Sequence, residues 1–270
     1  MATLNSPEGT VRDRFWIFSC PTNTDFPHLG QRSTMSPVEG AFMMGIPNVI
    51  MVNAGGREVE YGRYEPPFEQ YTYALRPMRR VVWSVVGSGG VTDAAERDMG
   101  IDLARKTPNF VGVYMDDFFH GADKPASLSV EQLAEMRAQL KAGPKPLDLY
   151  VTLYTQQLDH PIGPYLDLID VATLWTWKPS ELAHLEENLA RLEALAPRVR
   201  KTLGCYWVDY TAKAGVPVAS MELQCETGLR WLREGRIEGI VFLGNTAQDL
   251  GYESVEWTYE WIRRVGDGPM

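Results

Sequence analysis

The sequence is poor in cysteine and histidine and has no long apolar run. Its 270 residues include 3 Cys and 4 His. Cys20, Cys205 and Cys225 are odd in number, far apart and without CxxC-type spacing, which argues against a disulfide frame or a zinc ribbon. They read as reduced thiols of a cytoplasmic protein. No stretch approaches the ~20 apolar residues of a membrane span, and the first residues show neither a basic nor an apolar segment of an export signal. Lys and Arg number 26 against 35 Asp and Glu, for a net charge of −9, with no basic cluster. That balance excludes nucleic acid and membrane surfaces as main partners. A Walker A sequence is absent. Gly87-Ser88-Gly89-Gly90 is followed by Thr92 where GxGxxG needs Gly, so this turn reads as a plain loop. No cofactor and no metal is expected.

What is present is a regular alternation. Short β-branched and aromatic runs predict strands at Phe15–Cys20, Asn48–Asn53, Arg80–Val86, Phe110–Asp116, Leu147–Tyr154, Asp170–Trp177, Thr202–Asp209 and Gly239–Gly244. They recur about every thirty residues, room for one crossover helix each time. Ser36-Pro37-Val38-Glu39 and Ser129-Val130-Glu131-Gln132 carry capping-box signals, and Leu182, Leu185, Leu189, Leu192 and Leu195 form one helical stripe. The fifth crossover is short, interrupted by Pro161 and Pro164. Eight such units make an α/β protein, a single (β/α)8 TIM barrel over residues 1–270 with no linker or composition break.

In such barrels the chemistry lies at the C-terminal ends of the strands. On the fourth strand, alternation sends Val111, Val113 and Met115 to the helices and Phe110, Gly112, Tyr114 and Asp116 to the interior, with Asp117 on the lip. Adjacent carboxyls beside an apolar wall repel, so one pKa rises and the other stays low, as a general acid with an anionic helper requires. Asp209 ends the seventh strand, across the barrel mouth, as nucleophile, base or hydroxyl contact. Tyr114, Trp175, Trp177, Tyr206, Trp207 and Tyr210 cluster near strand ends, a platform for the CH faces of a sugar. Asn53, Gln156 and Asn245 are placed to read hydroxyls.

Val-Gly-Val-Tyr-Met-Asp116-Asp117-Phe-Phe resembles the tandem-carboxylate motif of (β/α)8 glycoside hydrolases that use substrate assistance. The resemblance implies that Asp116 polarises a 2-acetamido group and that Asp117 protonates the leaving oxygen. Acids on strands four and seven also resemble the retaining barrel glycosidases, which place Glu at both positions. The reading is therefore a glycoside hydrolase acting on a small carbohydrate-like ligand, with Asp117 as first choice for the acid. Asp117→Asn is then expected to lower kcat by at least ~10²-fold. A second copy of the chain stays open as a partner.

Two other chemistries compete. Lys178, after the sixth strand, would serve a Schiff-base aldolase or lyase if a hydrophobic pocket lowered its pKa. His28, His120 and His160 fall in loops on the same face, and Asp116, Asp117 and His120 would meet a cation with His160 in a metal hydrolase, although no HxH or HExxH spacing occurs. A sugar-binding barrel without catalysis would show the same aromatic mouth.

Overall fold

The computed structural model describes residues 9–26, 31–54, 62–121 and 124–270. Eight parallel strands close into a barrel: β1 (Phe15–Ser19), β2 (Asn48–Met51), β3 (Arg80–Val86), β4 (Phe110–Met115), β5 (Asp148–Tyr154), β6 (Val171–Trp175), β7 (Arg200–Tyr206) and β8 (Gly239–Leu243). Each pairs with its neighbours in sequence, and β1 closes on β8 through Phe15↔Ile240 to Phe18↔Leu243. Every strand expected from the sequence is present, with ends trimmed or extended by a few residues. The α-helices around it are α1 (Pro37–Met44), α2 (Glu69–Ala74), α3 (Ala94–Lys106), α4 (Val130–Lys141), α5 (Gly163–Leu166), α6 (Leu185–Leu195), α7 (Val218–Arg233), α8 (Asn245–Gln248) and α9 (Glu253–Val265). No described helix is long and apolar enough to cross a membrane.

Local signals explain where these helices begin. Ser36 accepts from the Glu39 amide while the Glu39 carboxylate accepts from that of Ser36, and Ser129 and Gln132 repeat the arrangement, satisfying amides that a helix start leaves open. The fifth crossover is as irregular as its prolines suggest: a 3-10 turn over Thr155–Asp159 and the single turn α5. Within the leucine stripe, Leu182, Leu185, Leu189 and Leu192 are buried, but Leu195 at the helix end is 38% exposed.

The period-2 alternation of each strand sorts side chains into two cores. Phe15, Ile17, Leu149, Val151, Leu203 and Cys205 pack under the helices. Trp16, Phe18, Tyr114, Tyr150, Trp175 and Tyr206 fill the barrel. β4 breaks the simple rule. Val81 pairs with Phe110 but Val82 pairs with Gly112, so Val111 is an extra residue, and the irregularity reverses the expected direction of Phe110. Phe110 turns outward and stacks on Trp83, ring centroids 6.1 Å apart. Past the bulge the expected parity holds, with Tyr114 in the barrel core and Val113 and Met115 under the helices.

Candidate active site

Asp116 follows the last residue of β4 and still donates its amide to the Val86 carbonyl, 2.8 Å. In a continued strand Asp117 would point the opposite way. Instead it adopts φ +44°, a left-handed conformation that Asp tolerates better than most residues, and both carboxyl groups line the same cavity. Asp116 is 6% exposed. It accepts from the Thr152 hydroxyl at 2.8 Å, and Thr152 is 3.0 Å from the Tyr114 hydroxyl beneath it. Burial, and then repulsion from Asp117, push the Asp116 carboxyl well above the ordinary aspartate value, against the smaller opposing effect of Thr152. Three donors converge on Asp117. Tyr154 Oη donates to Oδ1 at 2.6 Å, and the Gly89 amide and Ser88 hydroxyl reach Oδ2 at 2.7 and 3.2 Å. The glycine-rich turn after β3 is therefore more than a plain loop. Gly89 adopts φ +70° there, which lets the turn present its amide to Asp117.

Much of the remaining lining is aromatic. Trp177 and Tyr210 stack at 5.1 Å with planes 17° apart. Trp175 and Tyr206 lie 4.7 Å apart, and Tyr154 meets Trp177 edge-on at 5.7 Å. Burial raises the hydroxyls of Tyr154, Tyr206 and Tyr210 well above the ordinary tyrosine pKa, so they stay protonated and serve as donors and not as phenolates. The cavity holds about 200 Å³, below the ~300–1,000 Å³ of drug-sized sites and on the scale of a single sugar ring. Phe18 and Cys20 from β1 and its end, and Thr152 from β5, are also part of its lining. These three are missed by sequence reasoning. Phe18 and Cys20 look like ordinary core residues, and only parity within β5 places Thr152 under Asp116.

Scans against protein-family models and the curated proteins find no match. Solved structures do match. A protein of Bacteroides thetaiotaomicron provisionally named an α-L-fucosidase aligns at a TM-score of 0.61 and 12% identity, covering 96% of this chain and 94% of that one. YKL-39, studied with chitooligosaccharides, gives 0.59 and 11%, covering 95% and 100%. Active domain 2 of a Pyrococcus furiosus chitinase gives 0.54 and 14%, covering 85% and 83%. The fold shared with these structures is the (β/α)8 barrel. At these identities the likeness is one of fold.

Within this barrel, Asp116, Asp117, Trp175, Trp177 and Tyr206 come together around one cavity. The other expected residues stand elsewhere. Tyr114 is fully buried one layer down and touches Thr152. Trp207 has the opposite parity to Tyr206 and lies under the helices, stacked on Phe242 and donating to Thr258. Asp209 pairs with Ala214 in a small ribbon, and its carboxylate accepts from the Thr211 and Ala212 amides, tying down its own loop. Asn53 donates to Glu96 and accepts from the Tyr64 amide in a neighbouring groove. Gln156 is exposed on the turn after β5, whereas its neighbour Gln157 is buried and holds the Phe119 carbonyl. Lys178 is 57% exposed and 3.6 Å from Glu181, outside the cavity, so it does not supply the Schiff-base amine. His120 is bonded to Ser127 and His160 to the His120 carbonyl, while His28 lies outside the described residues. Among the described residues no cluster has metal-ligand geometry.

Asn245 is a buried staple and not a hydroxyl reader. It accepts from the Cys20 amide and donates to the carbonyls of Cys20 and Met35. Asn245→Ala strands three backbone groups and is expected to cost about 2–3 kcal/mol, measurable by urea denaturation.

The raised Asp116 carboxyl also sets a pH dependence. Between the unfolded and folded pKa values the native protein keeps a proton that the unfolded chain has released. Its contribution to stability is therefore complete below the unfolded value and is lost as pH rises through the folded one. Asp116→Asn removes that loss. The variant is expected to gain stability relative to wild type as pH rises above the ordinary aspartate value of about 4, in denaturation midpoints measured along a pH series. A constant difference across that range would show that Asp116 ionises normally.

Proposed function

We propose that the protein hydrolyses a glycosidic bond in this cavity, with Asp116 as the general acid and Asp117 as its anionic partner. The observation that carries the reading is the pair itself: two carboxyls brought into one ring-sized cavity lined by aromatic residues, one buried on a hydroxyl and the other met by three donors. Burial favours the protonated form of Asp116, which reverses the roles that the tandem motif implies. Asp116 gives its proton to the departing oxygen. Asp117 offsets positive charge developing on the sugar ring, and the aromatic wall excludes bulk water. Water then adds at the anomeric carbon and returns a proton to Asp116.

The test is turnover of a panel of nitrophenyl glycosides and of the matching unactivated alkyl glycosides by wild type and Asp116→Asn. Hydrolysis of both kinds by the first, with selective loss of the alkyl glycosides in the second, supports the reading. Sugar binding without turnover by wild type would replace it with a silent binding barrel, and the absence of both would remove carbohydrate from the account.

A further inference from the structure

The cavity is one-sided in charge. Its described lining includes two carboxyl groups and no Lys, Arg or His, and the donors that meet Asp117 are neutral: a hydroxyl, a backbone amide and a phenol. The chain as a whole adds to this field with its net charge of −9. The same cavity is lined by the rings of Trp175, Trp177, Tyr206 and Tyr210. Ring faces carry negative electrostatic potential, and with a nearby carboxylate they form a site that attracts organic cations. The carboxyls and phenols could accept from or donate to the hydroxyls of a neutral sugar, but the lining offers no amide or guanidinium side chain to add to them. Asn53 and Asn245 are occupied elsewhere, and Gln156 stands outside on an exposed turn.

We propose that the group bound here carries a positive charge, namely an amino sugar with a free ammonium held between Asp117 and the aromatic wall. The sugar part of this proposal rests on the glycosidic reading, and the cationic part rests on the lining alone. The volume of about 200 Å³ limits the cation to one ring or a compact amine.

The experiment compares matched hexosamine and hexose pairs of gluco, galacto and manno configuration, together with N-acetylglucosamine and tetramethylammonium. Each is titrated into the full chain and followed by tryptophan emission and calorimetry. At least one hexosamine is expected to bind about tenfold or more tightly than its hexose. Asp117→Asn, in which Asn tolerates the same left-handed backbone, and Trp177→Leu on the partly exposed wall should each abolish that preference. If a hexose or N-acetylglucosamine binds as tightly as the hexosamine, the ammonium is overturned while the glycosidic reading stands. If tetramethylammonium binds and no sugar does, the cation site is supported and the sugar is overturned. If no cation binds, the proposal fails, and the glycoside panel still judges the hydrolase reading by itself.

Discussion

Asp116→Asn is expected to lower kcat on an unactivated glycoside by at least ~10²-fold, the usual scale for losing a general acid. The substitution keeps the side-chain shape and the hydrogen bond from Thr152, so the loss reports the proton and not a collapsed site. The leaving group provides an internal control. An aryl glycoside whose phenolate departs without protonation needs no acid, so Asp116→Asn should retain far more of its activity on that substrate. Asp117→Asn should be impaired on both, because charge on the sugar ring develops whichever group leaves. Equal losses for Asp116→Asn on the two substrates would take the proton away from Asp116. An activated substrate that rescues Asp117→Asn and not Asp116→Asn would restore the roles implied by the tandem motif. The pH profile offers a second check. With Asp116 as the acid, kcat/KM falls as pH rises through its elevated pKa, and that limb disappears in Asp116→Asn.

The largest stability effect is expected at Gly204. Gly204 pairs directly with Trp175 across β6 and β7, and a Cβ placed on it would lie 2.0–2.5 Å from three atoms of the indole. The ring is 1% exposed and held between Phe18 and Tyr206, so it has no free volume into which to retreat. Either the strand pairing opens or the indole is driven into the cavity. Gly204→Ala is therefore expected to cost about 3 kcal/mol, at the upper end for overpacking a core, and to close the site as well. Denaturation would show the first effect, and loss of ligand quenching of tryptophan emission the second. The cause is a single contact, so adding Trp175→Leu should recover much of the stability although each change alone destabilises. Additive losses in the double variant would place the strain elsewhere.

The cost of that contact shows how the barrel's interior is shared: where β6 places a large ring, its neighbour β7 has only a hydrogen. Nothing in the run Arg200–Tyr206 marks Gly204 as the partner of Trp175, because the two are brought together by register. The same holds for the acid pair. Adjacent aspartates after a predicted strand attract notice at once. Their shared direction depends on the left-handed turn at Asp117 and on a glycine-rich loop that arrives from β3.

Where a feature depends on local periodicity, the sequence is a sufficient guide. The eight strands, the capping boxes at Ser36 and Ser129 and the irregular fifth crossover are all legible, because hydrophobic alternation and cap chemistry act over a few residues. Parity within β7 would also have separated Tyr206 from Trp207, had the strand been read by faces and not by its aromatic content. Other features are long-range. Asp209, Asn53 and Asn245 all sit at or near strand ends, where barrel chemistry is expected, yet each is engaged by backbone or by a neighbouring loop. A polar side chain at a strand end satisfies the nearest unpaired group unless the fold keeps that group away, and only the closed barrel decides which groups are near. The sequence by itself determined the architecture and the presence of two adjacent acids in it. Tertiary structure decided which acid is buried, what binds the other, and which rings face them, because burial and proximity belong to the packed barrel and not to the spacing of residues along the chain.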